Sequence, residues 1–307
     1  MPLATSQNRA YSAAHFALEL DGEGNVGLFK NVEGGGVKAD VMTYQNGTNY
    51  DRWRSLGKQK YEDIKLQVGM AMSSTFYRWI ERFFTGAGER KTGAIVAADF
   101  HYNERARREF SEALIKELVF PKLDGSDSKA AYMGVSLAVE DIVFKPGGGG
   151  KLAQSPGTEK NKLWSPNNFR FRLDGFDQAC KRVTKVDSFT IKQNILEHHV
   201  GGRQSPIKTP SQIDFPSLTF YVPEADGQPF WEHFNRRAMV NKREIKQGGE
   251  TGMIELFDHD LSTLCTLEFF GAEIFNVAPA GSDSTSEEIK LVKVELYTEK
   301  MKFTYKG

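Results

Sequence analysis

The chain repeats itself, and this internal repeat constrains its fold more than any other feature of the sequence. The segment Phe16-Ala-Leu-Glu-Leu-Asp-Gly22 recurs as Phe169-Arg-Phe-Arg-Leu-Asp-Gly175, at an offset of 153 residues (175 − 22). Further matches follow in the same order: Ile64, Leu66 and Val68 with Leu218, Phe220 and Val222; Phe76-Tyr77 with Phe230-Trp231; Thr92-Gly93 with Thr251-Gly252; and Val135, Leu137, Glu140 and Phe144 with Val294, Leu296, Glu299 and Phe303. Ordered matches of this kind predict a duplicated domain.

The boundaries of the two copies follow from a change in composition. Residues 145–166 contain a run of four glycines, three prolines and several charges in place of apolar alternation, which is typical of a linker. We therefore predict a first copy in residues 1–144, a Gly/Pro-rich linker at 145–166 and a second copy in residues 167–307. A chain of 307 residues is long enough for two cores of about 150 residues each.

Charge and cysteine content exclude several classes of protein. The chain has 40 basic and 40 acidic residues, so its net charge does not favour wrapping nucleic acid or docking on an acidic membrane. Cys180 and Cys265 are too few for a disulfide framework and too far apart in sequence for a metal motif. No window approaches the ~18 apolar residues of a membrane span, and the N-terminus lacks the pattern of a signal peptide. We expect a soluble protein that is not exported by a cleaved signal.

Hydrophobic periodicity predicts mainly strands in each copy. In the first copy, alternation with a period of two marks residues 16–21, 27–32, 37–43, 62–70, 92–99, 108–119 and 132–144. Two segments instead show helical spacing, and their aromatic faces should pack on the strands: Phe76, Trp79, Ile80 and Phe83 in 73–84, and Phe230, Trp231 and Phe234 in 228–235. The expected fold is mostly β: two tandem antiparallel β-barrels, each flanked by one short α-helix.

Each copy also contains a long polar segment, at 44–61 and at 193–214, which we predict to be a loop. Long loops in compact domains are usually functional, and Tyr, Trp and Arg are enriched in interface hot spots. The candidate contact residues between subunits or stacked rings are Tyr44, Tyr50, Arg52, Trp53, Arg54 and Tyr61 in the first copy, and His198, His199 and Arg203 in the second. An ordered loop that packs on its own domain remains an alternative.

The sequence contains one string that resembles a nucleotide-binding motif. Residues 22–27 formally match G-x-G-x-x-G after a strand. A dinucleotide site needs a helix to begin within the glycines, and the following residues, with three more glycines at 34–36, cannot start one. The second copy lacks two of the three glycines, so we interpret both segments, at 22–27 and 175–180, as hairpin turns.

The histidines do not indicate a metal or catalytic site. His198 and His199 are adjacent, and adjacent side chains on a strand point to opposite faces. Asp258-His259-Asp260 aligns with Asp99-Phe100-His101 at a predicted hairpin, where Asp is favoured for its local hydrogen bonds. The sequence has no nucleophile elbow and no Cys–His signature. We therefore predict that the protein is not an enzyme and has no catalytic, metal or cofactor site.

Four consecutive segments of the first copy resemble the tail tube protein family of contractile bacteriophages. They are Gly-Leu-Phe-Lys-Asn-Val-Glu-Gly (27–34), Tyr-Gln-Asn-Gly (44–47), Ser-Leu-Gly-Lys-Gln-Lys-Tyr (55–61) and Asp-Ile-Lys-Leu-Gln-Val-Gly (63–69). The family also includes inner tubes of phage-derived injection systems. The chain departs from the pattern at Leu56-Gly57, where a proline is missing, and the second copy follows it more loosely.

The resemblance implies a function as well as a fold. Family members form small barrels flanked by a helix, six of which close into a ring whose inner wall is a continuous sheet, while the long loop braces the next ring. We therefore expect a structural component of a phage tail tube or of an injection-system inner tube. The alternatives are a tube initiator or hub adaptor that joins a sixfold tube to a threefold spike, and more remotely a tail-associated carbohydrate-binding module or hydrolase.

The expected partners follow from the same resemblance. The first is the chain itself, as a trimeric pseudo-hexamer or a hexameric ring; the others are tube, sheath, baseplate or spike proteins, with DNA or effector cargo in the lumen. The implied location is the virion tail or injection particle, assembled in the bacterial cytoplasm.

Overall fold

The computed structural model describes residues 15–45, 47, 52–69, 71–152, 164–203, 205–240, 249–281 and 289–306. Antiparallel strands dominate this part of the chain, which confirms the prediction of a mostly β fold. Within it, no helix is long and apolar enough to cross a membrane. Tyr50 lies outside the described residues.

The described part of the first half contains ten strands and one helix. In chain order these are β1 (His15–Leu20), β2 (Glu23–Gly34), β3 (Val37–Gln45), β4 (Arg52–Tyr61), β5 (Ile64–Val68), α1 (Ser74–Phe84), β6 (Lys91–Ala98), β7 (Glu104–Phe120), β8 (Leu123–Asp124), β9 (Met133–Ala138) and β10 (Asp141–Pro146).

Six of these strands close into a barrel. The sheet runs β7-β6-β1-β2-β5-β9, and β9 returns to pair with the second part of the long strand β7. β10 pairs with the first part of β7. A positive φ of 53° at Glu112 marks the point where β7 changes partners. Alternate residues of the strands fill the interior, as the pattern buried-exposed-buried-exposed-buried in β5 shows.

The described part of the second half contains nine strands and two helices. These are β11 (Trp164–Leu173), α2 (Asp177–Cys180), β12 (Lys185–Val186), β13 (Phe189–His198), β14 (Ile207–Asp214), β15 (Leu218–Pro223), α3 (Gln228–Phe234), β16 (Glu250–Asp258), β17 (Thr263–Pro279), β18 (Leu291–Tyr297) and β19 (Lys300–Tyr305).

The strands of the second half follow the same order as those of the first. The sheet runs β11-β16-β17-β18-β15-β12, with β19 on β17. It differs at one place: β12 has two residues where β2 has twelve, and β12 pairs with β8 of the first half. The sheet of the second half is therefore open between β12 and β11, and a strand from the first half lies at this opening.

The register of pairing also repeats between the halves. Corresponding cross-strand pairs are Leu18–Ile95 and Phe171–Ile254, Gly93–Phe110 and Gly252–Phe269, Ile64–Leu137 and Leu218–Leu296, and Val41–Leu56 and Ile195–Pro210. The irregularities match as well, because β7–β9 shifts between Ile115 and Glu117 and β17–β18 shifts between Ile274 and Asn276. Register is sensitive to a slip of one residue, so this agreement is far more specific than a shared strand order.

The repeated Thr-Gly pair has a packing reason. A Cβ on Gly93 would lie 2.0 Å from the carbonyl oxygen of Glu19, and a Cβ on Gly252 would lie 2.5 Å from that of Arg172. In both halves an aromatic ring, Phe110 or Phe269, covers the glycine from the neighbouring strand. Only glycine permits this close approach of strand, backbone and ring.

The helices cover the cores through their aromatic residues. The side chain of Ser73 caps α1, and Phe76, Trp79, Ile80 and Phe83 are all buried. In α3, Phe230 is buried against Phe176 and Phe220, whereas Trp231 and Phe234 are half-buried. A π-helical turn, Asn235–Val240, extends α3. The two helices are thus embedded to different degrees.

Four sequence-based predictions are wrong in detail. The described parts of the segments 44–61 and 193–214 are not loops, because most of their residues lie in the strands of the hairpins β3–β4 and β13–β14. The predicted strand 132–144 is two strands, β9 and β10, separated by a tight turn at Val139-Glu140. The hairpin turn predicted at 175–180 contains the one-turn helix α2 instead. In each case, the pattern of apolar residues indicates which side chains are buried, but it does not determine where the backbone turns.

Part of the predicted linker lies against the first half. The backbone N–H groups of Glu104 and Gly147 bond to the carbonyl groups of Gly150 and Arg105, and Lys151 forms a bridge with Asn103. Residues 153–163 of the linker lie outside the described residues. The division of the chain at 145–166 remains a prediction.

The difference in burial between the two helices gives a stability prediction. Trp79 is buried and donates a hydrogen bond from Nε1 to the carbonyl oxygen of Glu89 at 2.9 Å. We expect Trp79→Ala to reduce the free energy of unfolding by about 3–5 kcal/mol, because it removes a large buried aromatic side chain. Trp231→Ala is the matched control and should cost clearly less in the isolated chain. Thermal unfolding of both variants checks this, and equal losses would contradict the burial of α1.

Candidate assembly surface

The two halves are joined edge to edge by strand pairing. The second part of β7 pairs with β13, from Phe189 opposite Phe120 to Lys192 opposite Glu117. The rings of Phe120 and Phe189 stack at 5.0 Å between centroids. Together with the pairing of β12 with β8, this ladder makes the sheet of the first half continuous with the hairpin β13–β14 of the second. An otherwise open strand edge is thereby satisfied.

A buried carboxylate anchors the hairpin β13–β14 on the first half. Glu140 is only 1% exposed, and its Oε1 accepts hydrogen bonds from the backbone N–H of Lys208 at 2.7 Å and from Arg90 Nη1 at 2.6 Å. Arg90 also donates to the carbonyl oxygen of Lys208 and to Glu112. Arg203 Nη1 lies 3.5 Å from the second carboxylate oxygen. A buried carboxylate is tolerated only with such partners.

The electrostatics of this anchor favour the charged state of Arg90. Partial burial alone would lower the pKa of Arg90, but hydrogen bonds and attraction from Glu140 and Glu112 outweigh it and raise the pKa overall. A second ion pair lies beside the anchor, where Lys116 Nζ contacts Asp63 Oδ2 at 2.6 Å. The hydrogen bond to Asp63 raises the pKa of Lys116. Lys208 Nζ, from the second half, lies 4.0 Å from Asp63 Oδ1 and is the charged contact of this pair across the junction.

A third set of contacts joins α1 to β19. The ring of Tyr77 stacks on Tyr305 at 3.6 Å between centroids, and the backbone N–H of Tyr305 donates to Glu81 Oε1 at 2.9 Å. Phe303 stacks against Phe84 at 6.0 Å. Burial raises the pKa of Tyr77 well above its usual value. The helix of the first half thus covers the last strand of the second half.

The hairpin β3–β4 has no corresponding partner within the described residues. It forms a two-stranded ribbon with Val41 opposite Leu56 and Tyr44 opposite Trp53. Trp53 is 67% exposed and Leu56 is 75% exposed, and Met42 is exposed as well. Exposed apolar side chains clustered on one ribbon are typical of an interaction site, and an isolated two-stranded ribbon is only marginally stable without packing.

The structure brings most of the predicted contact residues to the two hairpins. Tyr44 and Trp53 face each other across β3–β4, and Arg52 and Arg54 are exposed on β4. Tyr61 is half-buried at the end of β4, and burial raises its pKa to about 12.

The predicted contact residues of the second half lie near the tip of β13–β14. His198, His199 and Arg203 are exposed there, and only Arg203 reaches toward Glu140 of the first half. Their contact with another subunit stays a prediction.

Sequence reasoning missed the residues that form the junction between the halves. Glu140 appeared only as a repeat match to Glu299, although a charged residue inside an apolar segment is a signal of a buried ion pair. Arg90 has no charged counterpart, because the repeat places Gly249 there. Phe144 is 57% exposed on β10, whereas its repeat partner Phe303 is buried under α1.

The enzyme-like strings lie on ordinary turns. Residues 22–27 form the β1–β2 turn and the start of β2, with a φ of 84° at Gly22. Asp99 accepts hydrogen bonds from the backbone N–H groups of Asn103 and His101, and these bonds together with Arg105 lower its pKa. Among the described residues, no group of three His, Cys, Asp or Glu side chains is placed to hold a metal ion.

The first half carries the sequence pattern of a known family of structural tube proteins. Residues 12–143 match the family model described as T4-like virus tail tube protein gp19. This match confirms the resemblance noted in the sequence of the first copy. No curated protein sequence matches the chain.

Solved structures of injection-system particles also align with part of the chain. A chain of the PVC sheath-tube complex in the extended state aligns at 18% identity and a TM-score of 0.41, over 47% of this chain and 99% of that one. The tube-terminating cap of the anti-feeding prophage aligns at 19% identity and a TM-score of 0.37, over 45% and 89%. The PVC sheath/tube terminator aligns at 17% identity and a TM-score of 0.38, over 45% and 97%.

The anchor at Glu140 gives a prediction about the junction between the halves. We expect Glu140→Ala to cost about 3–5 kcal/mol, because it leaves Arg90 partly buried without its main counter-charge and the N–H of Lys208 without its acceptor. Amide hydrogen exchange in β14 should accelerate. Glu299→Ala is the matched control at the exposed repeat position and should change the stability of the unassembled chain by less than about 0.5 kcal/mol. Unchanged exchange in β14 would contradict the anchoring role of Glu140.

Proposed function

We propose that the protein is a non-catalytic structural component of the tube of a phage tail or contractile injection particle. It would supply two tail-tube-type units that associate laterally into a hollow ring. The observation that carries this proposal is the edge-to-edge ladder between β7 and β13, because it extends the barrel sheet of one half by a hairpin of the other. The tail tube family match to residues 12–143 supports the same function.

The second half is proposed to be a divergent copy of the first. In this proposal residues 1–144 and 167–307 are the two units, and 145–166 connect them. The repeated strand order, the repeated register and the glycines under Phe110 and Phe269 support it. Duplicated units that differ in sequence would give a ring with true threefold and approximate sixfold symmetry.

The lateral junction also favours a particular stoichiometry. Two units that share a sheet edge lie side by side, so three chains would supply the six units of one ring. A hexamer with two stacked rings is the alternative. A ring of three chains suits a junction between a sixfold tube and a threefold spike, which is the tube-initiator or hub-adaptor form of this function.

The proposed partners follow from this role. Tube, sheath, baseplate or spike proteins would contact the ring, and DNA or effector cargo would pass through its lumen, with assembly in the bacterial cytoplasm. The exposed residues of β3–β4, among them Tyr44, Arg52, Trp53 and Arg54, and the outer end of β13–β14 with His198 and His199 are proposed to contact a neighbouring subunit or the next ring. Tyr50 belongs to the same proposed surface.

Electron microscopy and mass measurement of the purified protein test the proposal. We expect rings or short tubes with an open lumen, and a ring mass of three chains of 34.5 kDa each. A ring of six chains would overturn the three-chain form and leave the tube function in place. A strictly monomeric protein with carbohydrate-binding or hydrolase activity would contradict the tube function itself.

A further inference from the structure

Each element of the internal junction has a counterpart by the repeat, and several of these counterparts carry exposed side chains. The junction uses the hairpin β13–β14 and strand β19 from the second half, and the corresponding elements of the first half are β3–β4 and β10. It uses the edge of β7, Glu140 and α1 from the first half, and the corresponding elements of the second half are the edge of β17, Glu299 and α3. The chain therefore carries both sides of a second, unformed junction.

We propose that these two faces bind each other between copies of the chain. The docking face, defined as α3, the edge of β17 at Asn276–Pro279 and Glu299, receives β3–β4 and β10 of a second copy. This inference rests on the proposed ring function and names the partner and the contacting residues. The contact is head to tail, because the docking face lies on the second half of one copy, whereas β3–β4 and β10 lie on the first half of the other.

Backbone pairing is the first element of the proposed contact. In the internal junction Ile191 lies opposite Leu118 and Lys192 opposite Glu117. The hairpins β13–β14 and β3–β4 share their register, with Lys192 opposite Asp214 and Lys38 opposite Lys60. The repeat therefore places Val37 and Lys38 of one copy opposite Val277 and Asn276 of the next.

Both strand edges are available for this pairing. Within the described residues, β3 pairs only with β4, and the Asn276–Pro279 part of β17 pairs only with β18. Each leaves a row of unpaired backbone N–H and C=O groups. Pairing them would satisfy both edges and bury the exposed side chains of the ribbon.

An ion pair is the second element. In the internal junction the backbone N–H of Lys208 donates to the Glu140 carboxylate at 2.7 Å, and the repeat positions of these two residues are Arg54 and Glu299. Arg54 and Glu299 are both exposed, and neither has an ion pair among the described residues. The two charges are opposite and placed to meet when a second copy docks.

The sequence difference at this site strengthens the case for Arg54. Glu140 already has Arg90 from its own half as a partner, whereas Gly249 occupies the corresponding position near Glu299. Glu299 therefore has no arginine of its own half at the position that Arg90 occupies beside Glu140, and docking would remove its exposed carboxylate from water. In the proposed contact Arg54 supplies the cation that a desolvated carboxylate needs, and its guanidinium can bind a carboxylate with two hydrogen bonds.

An aromatic contact is the third element. Phe303 is 2% exposed because α1, with Tyr77 and Phe84, covers it. Its counterpart Phe144 is exposed on β10, and the counterpart of Tyr77 is the half-buried Trp231 of α3. Docking of a second copy would bring Phe144 onto Trp231. Phe275 and Tyr297 are exposed on strands of the same half and add to its apolar surface.

Charge reversal tests the docking face directly. Against wild-type rings, Arg54→Glu and Glu299→Arg should each reduce the assembled fraction by about tenfold or more, because each places like charges together at the interface. The double variant Arg54→Glu/Glu299→Arg restores the attraction and should assemble as wild type does. Asp260→Arg, on an exposed turn outside both junctions, is the control and should assemble normally. Sedimentation velocity measures the assembled fraction, and the melting temperature of each variant establishes that it is folded.

The possible results separate the docking face from the ring function. If the wild-type protein forms rings and both single variants assemble equally well, the docking face is wrong and the ring function stands. If neither the single variants nor the double variant assembles, although all of them are folded, the Arg54–Glu299 contact is overturned. If the wild-type protein is a monomer under conditions of native assembly, the proposed function itself fails.

A mixture of the two single variants adds a test of head-to-tail geometry. In this mixture the Arg54→Glu chain has a glutamate at both contact positions, and the Glu299→Arg chain has an arginine at both. A chain of one variant can therefore attract only a chain of the other, so the two variants must alternate. An odd ring cannot alternate throughout, so a three-chain assembly should give open oligomers, whereas a six-chain assembly should close. Both outcomes support the docking face. A mixture that does not associate at all would contradict head-to-tail binding.

Discussion

Satisfaction of strand edges is the constraint on which the rest of this structure depends. The barrel strand β7 is seventeen residues long and serves several partners, and its last residues would be an open edge without β13. An open edge invites pairing with another chain. The buried Glu140 then holds the pairing hairpin in place through Lys208 and Arg90. Removing the second half would expose backbone, a buried carboxylate and the aromatic face of α1 together.

The same constraint explains why the two halves are unequal. In the first half the edge, the carboxylate and the helix are all covered by the second half, so Tyr77 and Glu140 are buried. In the second half the corresponding Trp231 is half-buried and Glu299 is exposed. Gly249, at the position that matches Arg90, and the two-residue strand β12, at the position of the longer β2, lie at the same junctions. The differences between the two halves are therefore concentrated where one junction lies within the chain and the proposed one faces outward.

Much of the fold could be predicted from the sequence because the buried strands alternate and the helices carry aromatic faces. The hairpins β3–β4 and β13–β14 could be predicted only in part, because β4 and β14 bury no apolar side chain and show no apolar alternation. The turn between β9 and β10 contains neither glycine nor proline, since it is built around the buried Glu140. The pairing of β7 with β13 also could not be predicted, because backbone hydrogen bonds between strands do not depend on which side chains the strands carry. The candidate contact residues on β4 could be predicted from their residue types, whereas their position on a two-stranded ribbon could not.

Disulfide trapping of the proposed junction between chains tests the central claim most directly. Lys38→Cys/Asn276→Cys places one cysteine on each edge, and residues directly opposite in an antiparallel pair lie within the Cα separation of a disulfide. The native Cys180 and Cys265 are buried and should not interfere. Oxidation of assembled protein should give covalent species of two and three chains on non-reducing electrophoresis, and neither single variant should do so. Rings that form normally and yield only single chains after oxidation would contradict the account.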